Sequence, residues 1–415
     1  MKVSTMRRID SWVGTPLCLI ASGLLAVARR LFTFSVPNDT PKNILIIKLS
    51  ELGALITLGP AMRSLTNRVG RGHLYFLTFG ESRSLLEILD YVPQENILIL
   101  RTDSLMHLIG DALGALRRVR HMRIDCSLDL DFFSRTTALI ALLSGCRRRV
   151  GCHAYFGEGP YRGNLLTHRV KFNPHVHVSQ MFEILAKAVE KNTEDFPRIE
   201  FFPGPAEAPR DRLRATAAEI AKVQRMLAEV GAGAQDTLIL LNSNISDREV
   251  IPLRKWPDDR YVELAKLILA GIPNAFVLLT GSSQEASTIA RLEATVGHDH
   301  CRSVAGKTTL RELLTLYSMS AVIVTNDSGP AHFATMTDID VVVLFGPETP
   351  LLWRPLGDRV SVIYRGIACS PCFTVYNGRQ SMCRSNVCMD IAPSTVYEVV
   401  KLRAASRQVA GQGRN

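Results

Sequence analysis

The sequence predicts an α/β protein with two doubly wound domains, each a parallel sheet covered by helices, preceded by an apolar N-terminal helix. Short, apolar, β-branched runs alternate with helical stretches along most of the chain, which is typical of parallel α/β folds. The length of 415 residues exceeds one typical hydrophobic core, and a proline-rich stretch divides the chain near its middle. The composition, with 47% apolar and 21% charged residues, indicates a globular protein.

The N-terminal segment, residues 1–40, is interpreted as a hydrophobic anchor and a linker. Residues 12–28 carry no charge and lie between arginine pairs at 7–8 and 29–30. This length is at the short limit for crossing a bilayer, and Pro16 weakens a straight helix. We favour a monotopic or re-entrant anchor at the cytoplasmic face of the inner membrane. A true span and a helix packed on the protein are the alternatives, and a cleaved signal peptide is disfavoured because no small-residue cleavage site precedes Arg29.

The first domain is expected to cover residues 41–205. It begins with a buried strand at 44–47, a loop with Gly53 at the turn, and one helix over 54–65, which is the usual opening of a doubly wound unit. Further strands are predicted at 74–78, 97–100 and 126–130, and further helices at 134–144 and 179–190.

A long loop is predicted over residues 151–177, because this stretch is rich in glycine, aromatic residues and histidine. Loops of this length in compact domains usually serve a function. No histidine pair in it has the spacing and acidic partners of a metal site. Residues 196–209, which contain four prolines, are predicted to link the two domains.

The second domain is expected to cover residues 206–395. Its predicted strands are at 237–241, 275–280, 321–324, 341–345 and 360–364. Its predicted helices include 258–270 and one that Thr308 caps and that ends at Met319. Residues 396–415 are expected to hold most of a terminal helix, predicted from about 394 to 405, and a disordered tail.

The most informative stretch of the second domain runs from Val324 to Ala334. A buried strand turns tightly through Asn326-Asp-Ser-Gly329 into a helix. Free backbone N–H groups and the positive end of a helix dipole suit an anion such as a diphosphate. Asp327 could cap the helix or hold a ribose hydroxyl, and His332 lies one turn further on. An ordinary capped helix is the alternative.

The net charge is +10, and two basic runs stand out, residues 117–123 and 147–149. Basic surface of this kind can face nucleic acid, anionic lipid or a phosphorylated substrate, or can simply be solvated. Since no nucleic-acid-binding motif accompanies the runs and aromatic residues are sparse, we do not expect a nucleic-acid partner.

The nine cysteines fall into two groups. Five are scattered and are expected to be buried as small hydrophobic residues, namely Cys18, Cys126, Cys146, Cys152 and Cys301. The other four, Cys369, Cys372, Cys383 and Cys388, lie in one loop, and their spacing could hold a structural zinc. Free or partly paired thiols are the favoured interpretation and a redox role is a third, because a reducing compartment is expected.

Several of these motifs together resemble glycosyltransferase family 9, the heptosyltransferases of lipopolysaccharide assembly. The similarity is carried by Asn326-Asp-Ser-Gly-Pro-Ala-His332 with Leu344-Phe-Gly-Pro347, by Pro252-Leu-Arg-Lys-Trp-Pro257, by Ile44-Leu-Ile-Ile-Lys-Leu-Ser50, and by Ser144-Gly-Cys-Arg-Arg-Arg-Val-Gly151. It covers roughly residues 42–400. The resemblance implies a GT-B fold, in which two Rossmann-like domains face a cleft, and catalysis without a metal or other cofactor.

The resemblance also assigns roles to residues of the second domain, which in this family binds the nucleotide-sugar donor. It places Ser328 and Gly329 at the diphosphate, and Asp327 and His332 at the diphosphate or sugar. Arg254 stands where the family has a basic residue, usually Lys, and would neutralise the leaving diphosphate, as a metal-free enzyme requires. Three weaker donor-site candidates are Lys255, whose alternative is a solvated neighbour, Ser246 for phosphate and Glu285 for ribose.

One position departs from the family pattern. The loop after the first strand usually ends in Gly-Asp, and that Asp is the general base; this chain has Gly53-Ala54. Glu51, three residues earlier, is our candidate for the replacement base. The alternatives are that Glu51 only balances a helix dipole, that a histidine such as His177 is the base, or that the chain has little activity.

These expectations combine into an inverting glycosyltransferase that moves a sugar, which could be a heptose from an ADP-heptose type of donor, to a lipid-linked saccharide such as a lipopolysaccharide core. A GT-B nucleotide-sugar epimerase or hydrolase is one alternative, which the N-terminal membrane segment disfavours. A catalytically silent nucleotide-sugar or glycan-binding subunit is the other, and Ala54 favours it.

Overall fold

The computed structural model describes residues 3–32, 39–193, 199–208, 213–245 and 252–412. These residues form two compact units. Unit 1 contains the chain up to Ala206 together with the short segment Thr374–Gln380, and unit 2 contains Glu207–Phe373 and the chain from Ser381 onward. Each unit is a six-stranded parallel sheet with helices on its faces, the doubly wound arrangement that the alternating pattern predicts.

The sheet of unit 1 has the order β3-β2-β1-β4-β5-β6. Its strands are β1 (Ile44–Ile47), β2 (Leu74–Phe79), β3 (Ile97–Leu100), β4 (Cys126–Asp129), β5 (Arg148–Cys152) and β6 (His168–Val170). The central strand β1 is buried throughout and pairs with a neighbour on each side, Ile44 lying opposite both Leu74 and Cys126. Burial on both faces explains its continuous apolar sequence.

The helices of unit 1 are α1 (Val3–Trp12), α2 (Gly14–Leu31), α3 (Leu52–Thr57), α4 (Gly59–Val69), α5 (Arg83–Leu89), α6 (Leu105–His121), α7 (Arg135–Leu143) and α8 (Val178–Ala188). The single helix predicted over residues 54–65 is wrong, because the chain forms two helices that meet at Leu58. Pro60 stands in the first turn of α4, where its missing N–H costs nothing.

The N-terminal helices belong to unit 1 by their contacts. The stretch Ile9–Leu31 is long and apolar enough to cross a membrane, by length and composition alone. In this structure α2 packs along α7, and the fully buried Cys18 lies with Ala138 and Leu165 in a small apolar cluster.

The long loop predicted over residues 151–177 is also partly wrong, because it contains the end of β5 and all of β6. Moreover, the basic run at 147–149 is not a surface feature throughout, since Arg148 and Arg149 are buried. Arg148 donates to the carbonyls of Val189 and Lys191 at 2.8 and 2.7 Å. These arginines therefore satisfy buried backbone acceptors.

The sheet of unit 2 has the order β12-β11-β10-β7-β8-β9. Its strands are β7 (Thr237–Asn242), β8 (Ala275–Leu279), β9 (Cys301–Ser303), β10 (Val322–Asn326), β11 (Asp340–Phe345) and β12 (Val360–Tyr364). Its helices are α9 (Ala217–Glu229), α10 (Asp258–Gly271), α11 (Ala286–Val296), α12 (Leu310–Met319), α13 (Gly329–Ala334), α14 (Pro350–Trp353) and α15 (Pro393–Gln412).

Two predicted boundaries of unit 2 need correction. Thr309, not Thr308, caps α12, in a capping box with Glu312. The terminal helix α15 extends to Gln412, past the predicted end near residue 405.

The two sheets share one connectivity. Counted along its own chain, each has the strand order 3-2-1-4-5-6, so the order reverses between the first and fourth strands. Ligands of doubly wound folds bind at such switch points, outside the carboxyl ends of the strands. In unit 1 this point lies between β1 and β4, and in unit 2 between β7 and β10.

Candidate functional site

The switch point of unit 2 is organised by Asn326 at the end of β10. Its side-chain amide donates to the carbonyl of Ser243, which follows β7, at 3.1 Å. Its Oδ1 accepts from the backbone N–H of Trp256 at 2.9 Å. Trp256 is fully buried, and its indole N–H donates to the carbonyl of Ile391. One amide thus joins the ends of two strands to the segment that carries Arg254.

Arg254 and Asp327 form an ion pair at this point. Nη1 of Arg254 lies 3.1 Å from Oδ2 of Asp327, and both side chains are buried. Asp327 therefore orients a cation. The sequence did not predict this pairing for Asp327. A buried guanidinium fixed by a carboxylate can stabilise the negative charge of a phosphate group.

The other residues predicted around the turn are brought to the same place. Ser328 has an extended backbone at the start of α13, and its hydroxyl donates to the carbonyl of Asn326 at 3.2 Å. Gly329 and His332 lie in α13, where His332 is buried. Since Ser328 does not cap the helix through its side chain, the alternative of an ordinary capped helix does not describe this turn.

The three weaker donor-site candidates differ in their surroundings. Lys255 pairs with Asp258 at 2.7 Å, as its structural alternative implied. Glu285 accepts from the N–H and hydroxyl of Ser282, closing a capping box next to β8. Ser246 lies outside the described residues.

Two further polar side chains lie at this edge of the sheet, and the sequence did not predict them as site residues. Within the described part of the chain, the hydroxyl of Ser243 and the amide nitrogen of Asn244 are buried without a hydrogen-bond partner. A Cβ on Gly281 would come within 3.3 Å of this amide and 3.2 Å of Glu285 Oε2, so both groups crowd one glycine. Their position directly after β7, at the switch point, is the signal that could have found them.

The switch point of unit 1 holds a charged cluster around Glu51. Nζ of the buried Lys48 lies 3.1 Å from Oε2 of Glu51 and 2.6 Å from Oδ1 of Asp131. Burial alone would lower the pKa of Lys48, but these two carboxylates outweigh it and raise the pKa. Arg379, from the segment of residues 374–380, pairs with Oε1 of Glu51.

The backbone at Glu51 is also unusual. Its φ of 69° places a non-glycine residue in the left-handed region. It occupies the N-cap position of α3, yet its side chain does not cap the helix. The position of the Glu51 carboxylate is therefore explained by its ion pairs more than by an interaction with the helix dipole, which was the alternative. Ala54 is buried one turn later, and its methyl side chain cannot accept a proton.

The histidine alternative gains no support. His177 is 5% exposed and caps α8, with Nδ1 accepting from the N–H of Ser179 at 3.2 Å.

The aromatic ring of Tyr376 packs on Phe133 and Phe172, both at 5.7 Å between ring centres. This packing holds the segment of residues 374–380, and with it Arg379, in unit 1.

The cysteines divide largely as predicted. Cys18, Cys126, Cys146, Cys152 and Cys301 are all buried, which confirms the expectation for the scattered group. Of the loop cysteines, Cys369 is exposed and Cys388 is buried. Among the described residues, no group of three or more His, Cys, Asp or Glu side chains is arranged to hold a metal ion.

Comparison with known proteins places this geometry in a family. The sequence model described as "Glycosyltransferase family 9 (heptosyltransferase)" matches residues 117–381. The lipopolysaccharide heptosyltransferase 2 of Salmonella typhimurium is 36% identical over 116 residues, which are 27% of this chain and 32% of that protein. The lipooligosaccharide heptosyltransferase 2 of Haemophilus influenzae is 30% identical over 115 residues, 27% of this chain and 33% of that protein. The aligned segment thus spans about a third of the length of these curated relatives.

Solved structures resemble the whole fold. The E. coli ADP-heptose lipopolysaccharide heptosyltransferase II has a TM-score of 0.63 at 22% identity, with 88% of this chain and 99% of that chain covered. A glycosyltransferase of family 9 from Veillonella parvula has a TM-score of 0.64 at 15% identity, with 89% and 100% covered. These likenesses confirm the GT-B fold class. Because the family model matches more than half of the sequence, the chain belongs to glycosyltransferase family 9.

Proposed function

We propose that this chain is an inverting glycosyltransferase that moves a sugar from a nucleotide-sugar donor to a lipid-linked saccharide, without a catalytic metal. The names of its relatives, lipopolysaccharide and lipooligosaccharide heptosyltransferases, point to a heptose from an ADP-heptose type of donor and to a lipopolysaccharide core as acceptor. The enzyme would work at the cytoplasmic face of the inner membrane, as a peripheral or monotopic protein.

The buried pair of Arg254 and Asp327 at the switch point of unit 2 is the observation that carries this proposal. In the transfer, an acceptor hydroxyl oxygen bonds to the anomeric carbon of the donor while the bond from that carbon to the diphosphate oxygen breaks. Negative charge then grows on the leaving nucleoside diphosphate. A fixed guanidinium in a site of low dielectric stabilises this charge more in the transition state than in the ground state.

The proton of the acceptor hydroxyl needs a base, and we propose Glu51 for this role. Its carboxylate is 24% exposed and stands in the loop where the family pattern has an Asp. Lys48 and Arg379 stabilise its negative charge. An acceptor hydroxyl would take the place of one of these cations before the proton moves.

The donor half of the proposal is tested by thermal unfolding with ADP, UDP and GDP, free and as sugar conjugates. A ligand that binds the folded state raises the midpoint by mass action. We expect the adenine series to give the largest shift, and release of ADP from ADP-heptose in the presence of a lipid-linked core. If none of the nucleotides shifts the midpoint and no turnover is detected, the proposal is wrong.

The base is tested with Glu51→Gln, alone and combined with Ala54→Asp. Loss of a general base lowers kcat by about 10²- to 10⁴-fold. We expect this loss in Glu51→Gln and a partial return of turnover in the double variant, which restores a carboxylate at the family position. Full turnover by Glu51→Gln would exclude Glu51 as the base.

A catalytically silent nucleotide-sugar-binding subunit is the second candidate. The buried Ala54, together with the ion pairs that engage Glu51, favours it. Calorimetry with the donor, run beside the turnover assay, separates the two proposals. Donor binding without turnover against lipid-linked acceptors would support the silent subunit.

A further inference from the structure

Helix α2 is apolar on both faces, which a helix at a water-exposed surface should not be. One face is buried against α7 through Gly14 and Cys18. The opposite face presents large aliphatic side chains that are each more than half exposed: Leu19 at 55%, Ile20 at 60%, Leu24 at 67%, Val27 at 57% and Leu31 at 71%.

The buried face is held by specific contacts. The carboxylate of Asp10 accepts from the backbone N–H and the hydroxyl of Thr136, both at 2.7 Å, and so caps the first turn of α7. Ser22 Oγ accepts from the backbone N–H of Asn164 at 2.9 Å. Gly14 lies so close to Arg135 that a Cβ at position 14 would come within 2.9 Å of its side chain. These contacts hold α2 alongside α7 in unit 1.

A second exposed apolar stripe lies on α6. Leu105, Met106, Ile109 and Leu113 are 50%, 78%, 47% and 50% exposed and share one side of this helix. Both α6 and α7 bury residues in one core cluster with Leu45 and Ile47, so they cover the same face of the sheet.

Helix α7, which packs against α2, also contacts α6 at its C-terminal end. Arg120 near the end of α6 donates to the carbonyl of Leu143 at 2.6 Å, and Leu143 itself, the last residue of α7, is 49% exposed. Helices α6 and α2 are therefore both neighbours of α7 in unit 1.

Positive charge is concentrated where both helices end. Arg29 and Arg30 close α2, and exposed arginines at 117, 118, 120 and 123 close α6 or directly follow it. Burial, and after it the charge of Arg29, lowers the pKa of Arg149 to about 10. The only acidic residue within α6, Asp111, is paired with Arg101 at 2.8 Å.

We propose that the exposed faces of α2 and α6 form a single membrane-binding surface that lies in the plane of an anionic bilayer, with the arginines at the headgroups. Aliphatic side chains enter the headgroup and acyl boundary, and each arginine near the surface adds attraction to anionic lipid. The in-plane helix α2 would contact lipid along about 27 Å, at 1.5 Å per residue. This inference deepens the proposed function and rests on it for the lipid-linked acceptor.

Vesicle flotation of the full chain tests the composite surface. We expect at least tenfold stronger binding to vesicles with phosphatidylglycerol than to pure phosphatidylcholine. Ile20→Glu with Leu24→Glu on α2, and Ile109→Glu with Leu113→Glu on α6, should each lower binding about tenfold. The matched control is Leu402→Glu, an exposed leucine of α15 at 71%, which should bind as the parent does. If the α6 variant binds like the control, the composite surface is wrong.

The orientation of α2 is tested by the depth of tryptophan reporters. Trp12 is 81% exposed, while Trp256 and Trp353 are buried in unit 2 and give a constant background. Additional reporters are Ile20→Trp and Val27→Trp, with quenching by lipids nitroxide-labelled at shallow or deep positions. Equal, shallow depths for all three positions are expected. A deep position 20 between shallow ends would show a spanning helix and overturn the proposal.

Two further measurements keep the outcomes distinct. Thermal shifts with ADP on the same variants report donor binding, so loss of vesicle binding with an unchanged ADP response concerns the membrane surface alone. Analytical ultracentrifugation reports whether the apolar face is covered by a second copy. A stable dimer that the α2 and α6 variants dissolve, with no vesicle binding by the parent, would overturn the membrane assignment.

Discussion

Nη1 of Arg254 lies 3.1 Å from Oδ2 of Asp327, with exposed fractions of only 8% for the arginine and 4% for the aspartate. The two residues are 73 positions apart in the sequence and meet where β7 and β10 end. Each charge is held in a poorly solvated place by the other, which couples the stability of unit 2 to its proposed donor site.

Asp327→Ala is expected to destabilise the protein by about 3 kcal/mol, because it leaves a buried guanidinium uncompensated. Urea unfolding measures this. The double variant Asp327→Ala with Arg254→Leu should lose less than the sum of the two single losses. Strict additivity of the two losses would mean that the pair is not coupled.

Arg254→Gln is expected to lower turnover by about 10²- to 10³-fold, because an uncharged amide cannot neutralise the developing charge of the diphosphate. Steady-state release of nucleoside diphosphate measures it. Lys255→Gln is the matched control, since Lys255 pairs with Asp258, and it should stay within a few-fold of the parent. Equal losses in the two variants would argue against a specific role for Arg254.

Asp10→Ala is expected to destabilise unit 1 by about 1–2 kcal/mol, because it removes the carboxylate that caps α7. Chemical unfolding gives the loss, and limited proteolysis between residues 13 and 33 should become faster as α2 detaches. Asp299→Ala serves as control, because its ion pair with Arg302 is exposed. Unchanged proteolysis in Asp10→Ala would show that this cap does not hold α2.

His168 should make the protein acid-sensitive. It is fully buried in β6, and burial, followed by the charge of Arg148, lowers its pKa to about 4. The unfolded chain takes up a proton near pH 6.5 while the folded chain does not. Stability present at pH 7 is therefore lost as the pH falls from about 6.5 to about 4, by on the order of 2–3 kcal/mol.

Urea midpoints at pH 7 and pH 4.5 measure this effect. His168→Gln should lose less stability between the two values than the parent, while His121→Gln, an exposed residue of α6, should behave as the parent. Identical acid losses in the parent and His168→Gln would contradict the assignment.

Cys383 should be the most reactive thiol. Hydrogen bonds from the backbone at Asn386 and Ser385 lower its pKa, whereas burial raises that of Cys152. Peptide mapping after brief iodoacetamide treatment at pH 7.5 should find Cys383 labelled first and Cys152 only after denaturation. Pretreatment with a chelator should leave the rate unchanged if the loop thiols are free. Faster labelling after chelation would instead support a structural zinc.

Local pattern predicted the strands of both sheets where they are mostly apolar. Ile97–Leu100 and Val360–Tyr364 have the predicted bounds, because continuous or nearly continuous apolar runs between turns need no outside information. The strands β5, β6 and β9 were not predicted from the sequence, because each of them is short and contains arginine. In β5, Arg148 is satisfied by partners far along the chain, the carbonyls of Val189 and Lys191.

The candidate site divides in the same way. The turn at residues 326–329 and Arg254 could be found from spacing and family resemblance, because they are local motifs. The charged cluster around Glu51 could not, since Arg379 is 328 residues away from Glu51, and Asp131, which pairs with Lys48, follows a different strand. The local sequence does not mark Ser243 and Asn244 as site residues. They lie at the switch point only because β10 pairs with β7.

The sequence by itself determined the two doubly wound units, the family and the elements that carry the site, because hydrophobic periodicity and turn chemistry act over a few neighbouring residues. Only the tertiary structure decided which charges meet: Arg254 with Asp327, and Glu51 with Lys48 and Arg379. It also decided that α2 packs along α7. Electrostatic pairing and packing depend on distance in space, and that distance is fixed only when the strands take their places in the sheets.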